Sequence, residues 1–78
     1  MPDTDVRPLS DAPLGAECMI REICSSPETR QRLREIGFSE NTVVRTVVKN
    51  ASQLICELHA TRIGLHRRVA ETILIGLL

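Results

Sequence analysis

Three side chains in the second half of the sequence have types suited to a metal. Cys56, His59 and His66 include a C-x-x-H spacing, and Cys18 and Cys24 lie earlier in the chain. A four-ligand site needs a second such pair, and none follows. Cys56 and His59 also stand three apart in "LICELH", which alternates as a strand does. Residues three apart in a strand point to opposite faces. Cys56 is therefore expected to face a core and His59 the solvent, which leaves Cys56, His59 and His66 as weak metal candidates. The three cysteines are read as reduced, small, apolar core residues.

A second group is basic. "RQRLREIGF" (Arg30 to Phe38) holds three arginines, one acid, a glycine and the only aromatic residue of the chain. Nine of the ten basic residues are arginine, whose planar fork suits carboxylates and phosphates. Ten basic and ten acidic residues balance, so no global field gathers DNA, RNA or anionic lipid. In a helix a spacing of two turns the side chain by about 200°. Arg30 and Arg34 then share a face and Arg32 does not. Without an aromatic stacking platform, single-stranded nucleic acid is a poor fit. A groove for proline-rich peptides is equally poorly supplied, because such grooves are lined by aromatic residues. What remains is a docking patch for an acidic protein partner, formed by Arg30, Arg34 and an exposed edge of Phe38, with Arg67 and Arg68 extending it. The plainer alternative is that Arg32 and Arg67 pair with local acids. Catalysis finds no support: there is no G-x-S-x-G, H-E-x-x-H or phosphate-loop pattern.

The elements that position these residues follow from the pattern. "MPDTDVRP" (1–8) is polar and proline-flanked and is expected to be loosely ordered, with one domain over 9–78. No apolar h-region marks a signal peptide and no run spans a bilayer, so the expected compartment is the cytoplasm. "ECMIREIC" (17–24) reads as a strand whose apolar phase changes between Ile20 and Ile23, the mark of a bulge. "SSPETRQRLREIGF" is the clearest helix. Ser26 can cap it with Pro27 at the first helical position, or Ser25 with Glu28 can form a capping box; these differ by one residue. Gly37 sits where a left-handed residue ends a helix, and Phe38 falls where it can pack on Leu33 in a Schellman motif. Leu33 and Ile36 are the helix's narrow apolar stripe.

Asn41 lies in a turn that suits positive φ. "TVVRTVVKN" and "LICELH" then form a hairpin. "TRIGLH" is a short strand or turn, "RRVAET" a helical turn, and "ILIGLL" a last strand whose exposed edge could pair with a second copy. The fold class is mainly β with one inserted helix, in a small, partly open barrel.

The residues "LSD…G" (Leu9 to Gly15), "RQRLREIGF" and "RIGLHRRVAETI", in that order and spacing, resemble the FeoA family over about Leu9 to Ile75. Arg32, Leu33, Ile36 and Gly37 match its helix motif. Ile63, Gly64 and Leu65 stand at its leucine-alanine-leucine segment, and Ala70 and Ile73 fit the turn and strand after it. The resemblance implies an SH3-like β-barrel without cofactor. It also implies a cytoplasmic, non-enzymatic accessory of ferrous iron transport, whose partner is the cytoplasmic, GTPase-bearing part of the transporter FeoB. The contact surface would be the helix with the Ile63–Arg68 turn: Arg30, Arg32, Arg34, Phe38, Ile63, Leu65, Arg67 and Arg68, shaped by Leu33, Ile36 and Gly37.

The sequence departs from the family at Glu40-Asn41, where many relatives have proline-glycine, and at His66, Arg68 and Val69, where an arginine and acids are usual. The same fold ends some iron-dependent repressors, but a winged helix has no room in this chain. The alternative reading is a stand-alone metal-responsive SH3-like domain, binding a transition metal ion by itself.

Overall fold

The computed structural model describes residues 6–78. A strand, β1 (Val6–Pro8), leads into a 3-10 turn at Leu9–Asp11. Then come β2 (Glu17–Ile23), α1 (Pro27–Glu35), β3 (Val43–Lys49), β4 (Gln53–Leu58), β5 (Thr61–His66), the single turn α2 (Arg67–Ala70) and β6 (Ile73–Leu77). All pairings are antiparallel, in the order β1-β6-β2-β3-β4-β5. The sheet is not closed. It wraps one core with contributions from every strand from β2 to β6, from Leu33 of α1 and from Ala70 of α2.

That core is aliphatic, as a chain with one Phe requires. Ile20, Val44, Leu54, Ile73 and Ile75 are buried around Phe38. The alternation in β4 places Leu54, Cys56 and Leu58 inward. β2 alternates until Ile20, and its ladder with β6 then skips from Ile20 to Glu22. Arg21 is the extra residue at this bulge, so the phase change in the sequence is a real register shift. Its guanidinium lies across Gly76 on β6, where a Cβ would stand 2.9 Å from Arg21 Nε. A second register shift lies in β3 between Thr46 and Val48.

The turns have local chemistry. Asn41 takes φ 71°, as its turn position suggests. Asn50 ends β3 and its Oδ1 accepts from the backbone N–H of Ser52 (3.0 Å) and Gln53 (2.9 Å), an Asx turn that sets the β3–β4 hairpin. The β4–β5 turn is different. Leu58 pairs with Thr61 around His59 and Ala60, which both have positive φ (51° and 63°). Two residues of positive φ make the type I′ hairpin turn, normally built from Asn and Gly. Histidine and alanine carry no such signal, so "TRIGLH", a short strand or turn by sequence, is a full six-residue strand.

Three expectations are corrected. Of the 1–8 segment, Val6–Pro8 is ordered as a strand because it pairs with Leu74–Gly76 of β6; residues 1–5 lie outside the described residues. In the segment after Pro8, Leu9 and Ala12 are core residues and Ser10 is buried. The last strand has no exposed edge: β6 lies between β1 and β2, and the ends of the sheet are β1 and β5. Cys18 and Cys56 are buried, but Cys24 is exposed.

The left-handed alanine gives a test. An L residue at positive φ costs roughly 1–2 kcal/mol, and glycine relieves this at an unfolded-state cost of about 0.5–1 kcal/mol. Ala60→Gly is expected to raise the midpoint of urea unfolding by about 0.5 kcal/mol equivalent; a drop in midpoint would contradict the turn assignment.

Candidate partner-binding surface

Helix α1 is capped as its sequence suggests, and of the two N-terminal readings Ser26 is the cap. Its Oγ accepts from Thr29 N at 3.3 Å, with Pro27 at the first helical position. Ser25 has another task. Thr72 Oγ1 donates to Val69 O (2.7 Å), so Ser25 Oγ donates to Thr72 Oγ1 (2.6 Å) and ties the helix start to the segment after α2. At the other end Gly37 takes φ 108°. Phe38 N–H reaches back to Leu33 O (2.8 Å) and Gly37 N–H to Arg34 O (3.1 Å), the two bonds of a Schellman motif. A Cβ on Gly37 would lie 3.3 Å from Leu58 Cδ1 and 3.6 Å from His59 Cδ2, so the helix end abuts the β4–β5 turn. The helix is thus fixed at both ends.

The arginines then divide by face. Arg34 Nη2 pairs with Glu40 Oε2 at 3.5 Å, both side chains well exposed. Glu40's own backbone N–H holds its carboxyl below the usual range, opposed by desolvation and helped by the Arg34 and, less, the Arg30 guanidinium groups. Arg30 and Arg34 therefore look onto one acid, as a shared face requires. Arg30 is half-buried, and its Nε is shielded from solvent with no hydrogen-bond partner. Arg32 is exposed on another face, beside Glu28, Gln31 and Glu35. No ion pair joins Arg32 to Glu28 among the described residues, so the acid pairing falls to Arg34 and not Arg32.

The α2 side carries a smaller basic group. Arg67 is half-buried; its backbone N–H donates to Ser52 O (2.9 Å) and its Nη1 to Asn50 O (3.0 Å), so it braces the β3–β4 turn instead of pairing with an acid. Arg68 is exposed. A shallow groove runs between that turn and α2, lined by Ala51, His66, Arg68 and Val69 among others.

Two of the expected contact residues do not reach the surface. Phe38 was expected to show an edge, but it is 0% exposed, because the Schellman turn drives it into the core. Leu65 faces inward at 7% exposure, and Ile63 is half-buried. Ile36, expected to be buried with Leu33, is 46% exposed as the helix cap, while Leu33 is 3% exposed. One residue of the stripe therefore holds the helix to the core and the other faces solvent.

The metal candidates are separated. Cys56 lies inside β4, and burial pushes its thiol above the ordinary range, against only partial relief from a weak contact with Thr46 Oγ1. Cys18 is raised for the same reason. His59 sits in the β4–β5 turn and His66 ends β5, roughly 20 Å away at ~3.3 Å per strand residue. Among the described residues no three His, Cys, Asp or Glu side chains gather around a point.

Sequence reasoning missed one feature. Among the described residues nothing pairs with the outer edge of β5, and the signal available was Gly64 in mid-strand.

The architecture is that of a small SH3-like barrel carrying one inserted helix. The chain belongs to the FeoA family: the FeoA domain model matches residues 7–76. Membership implies a part in ferrous iron transport. Among solved structures, the crystal structure of an iron uptake regulatory protein (FeoA) superposes with a TM-score of 0.87 at 19% identity, covering 94% of this chain and 99% of that one. The FeoA protein from Chlorobium tepidum gives 0.81 at 17% identity over 91% and 70%. A manganese-dependent transcriptional repressor gives 0.85 at 18% identity, and there this chain spans only 42% of the other. These likenesses show the fold alone. A comparison with curated protein sequences gives no significant match. No helix among the described residues is long and apolar enough to cross a membrane.

Two outcomes follow. Phe38→Ala is expected to cost about 3–5 kcal/mol in urea unfolding, as truncation of a buried aromatic does, while Arg68→Ala stays within about 0.5 kcal/mol; a small loss at Phe38 would contradict its place in the core. A thiol reagent at neutral pH is expected to modify Cys24 at once and Cys18 and Cys56 only on unfolding. Immediate reaction of all three would refute the burial of the pair.

Proposed function

We propose that this protein is a non-enzymatic cytoplasmic accessory of ferrous iron transport that docks on the cytoplasmic, GTPase-bearing part of a FeoB-type transporter and modulates uptake. The observation that carries the reading is the family match over nearly the whole chain. The surface adds physical support. Balanced total charge gives no steering at long range, yet Arg30, Arg34 and Arg68 concentrate short-range positive charge on α1 and α2. Exposed arginine at a partly apolar rim is the composition that protein interfaces favour. Ile36, between the arginines and the β4–β5 turn, supplies an apolar centre. The proposed docking residues are Arg30, Arg34 and Ile36 on α1 with Arg67 and Arg68 on α2, elements tied to each other through Ser25 and Thr72. Ile63 is half-buried, and Phe38 and Leu65 are core residues that do not form part of this surface. Arg32 faces elsewhere and contributes charge alone.

The test is an NMR titration of the labelled protein with the soluble GTPase-bearing domain of its transporter, with and without a GTP analogue. Shifts are expected to cluster on Arg30–Ile36 and Arg67–Arg68. An unchanged spectrum at high domain concentration would rule out docking on that domain.

A further inference from the structure

The sheet has two ends, and they are not alike. β1 offers three described residues, one of them Pro8, which has no N–H to donate. Short strands and prolines are the means by which proteins blunt a sheet edge. β5 has neither device. It runs six residues without a proline, a lysine or a bulge and, among the described residues, is paired along its whole length to β4 alone.

The hairpin geometry fixes which groups face out. In a two-residue hairpin the residues flanking the turn exchange both hydrogen bonds, and paired positions then alternate. Thr61, Ile63 and Leu65 therefore bond to β4. The N–H and C=O groups of Arg62, Gly64 and His66 point to the open edge, and all three residues are exposed. The next odd residue keeps the pattern, since Arg67 N–H bonds back to Ser52 O.

Gly64 is the independent sign that something approaches this edge. The chain has four glycines. Gly15 and Gly37 have positive φ, and Gly76 lies under the Arg21 side chain. Gly64 has neither reason: its φ is not positive, and a Cβ would meet only Leu54 O at 4.0 Å. Glycine weakens a strand that has room for a side chain. A glycine that the fold does not need, in the middle of an open edge, suits close approach by another backbone.

We infer that the β5 edge is a receptor for an extended, acidic segment of a protein partner, which adds to the sheet as a strand beside Arg62, Gly64 and His66. Charge selects the occupant. From Thr61 to Ala70 the chain has Arg62, His66, Arg67 and Arg68 and no acid; the acids beside this stretch are Glu71, which follows in the α2 groove, and Glu57 opposite Arg62, so the basic groups outnumber them. Arg62 reaches Glu57 only at 3.8 Å with its side chain 68% exposed, a contact too solvated to withhold it from a partner. A second copy pairing antiparallel through its own β5 about Gly64 would set Arg62 opposite a histidine and no acid opposite any base, so charge favours an acidic partner over that dimer. Main-chain bonds give such a complex its affinity and the side chains its selectivity. The inference rests on the docking reading and specifies the chemistry of the segment the partner offers.

The test uses the full chain, the soluble transporter domain, and two synthetic hexapeptides, TEVDVE and TKVKVK. Amide exchange at Arg62, Gly64 and His66 is read by NMR. The acidic peptide or the domain is expected to slow these amides, and the lysine peptide is not. Gly64→Pro removes an N–H that points away from β4, and it is expected to weaken binding about tenfold, the scale of one lost hydrogen bond. Gly64→Ala keeps the N–H but adds a Cβ where the partner strand approaches; it is expected to fold like the parent and to bind more weakly than the parent, though better than Gly64→Pro. If the domain binds through α1 and α2 and these three amides exchange as before, the inference falls and the docking reading stands. If the acidic peptide protects them and the domain does not bind, the edge receptor stands and docking on that domain falls. No protection by either ligand overturns the inference.

Discussion

The burial of Phe38 is the constraint on which the rest of the molecule depends. It is the only aromatic side chain of the chain and among the largest that are fully buried. It reaches the core because Gly37 turns the chain at φ 108°, and because the Phe38 N–H returns to Leu33 O. Within α1, Leu33 is the buried residue. One leucine is a weak anchor for nine residues of helix, since helices in proteins are held by packing more than by propensity. Leu33 and Phe38 together, with Ser25 tied to Thr72, give it a fixed seat.

That seat determines what the surface shows. A helix held by so narrow a stripe exposes nearly all of its polar residues, and its arginines are displayed in two directions. Arg30 and Arg34 look onto Glu40, while Arg32 stands with Glu28 and Glu35. On the outer face of the sheet the charges are already matched. Arg62, Glu57, Arg45 and Glu17 stand directly opposite one another on adjacent strands, with contacts of 3.8, 4.0 and 3.1 Å. Such exposed pairs contribute little stability each; they offset charge across β2, β3 and β4, while Arg62 at the open end of the row stays mostly exposed. The unmatched positive charge lies instead around α2, where Arg68 is exposed and Arg67 braces the β3–β4 turn.

Much of this was legible in the sequence, where local chemistry and tertiary packing agree. Ser26, Pro27, Gly37 and Phe38 define the helix ends by rules that act over four or five residues. The change of phase in "ECMIREIC" reported a bulge, and the alternation of Leu54, Cys56 and Leu58 reported an inward face. The failures arose where tertiary structure overrides local signal. His59 and Ala60 give no sign of a type I′ turn, so the length of β5 was hidden. Strand order cannot be read from apolar runs, so β6 looked like an edge and is interior. Exposure was misjudged at Phe38 and Ile36, because the turn at Gly37 rotates one inward and leaves the other out. Val6–Pro8 carries little strand signal of its own and is ordered by β6.

Native-state amide exchange at Phe38 tests this account most directly. If the helix end is locked to the core, the Phe38 N–H exchanges only on global opening, with a protection free energy equal to that of the β2 and β6 core amides and to the unfolding free energy from urea. Exchange at Phe38 as fast as at exposed loop amides, with the strands still protected, would mean that the helix detaches freely, and the account of its surface as a fixed platform would be wrong.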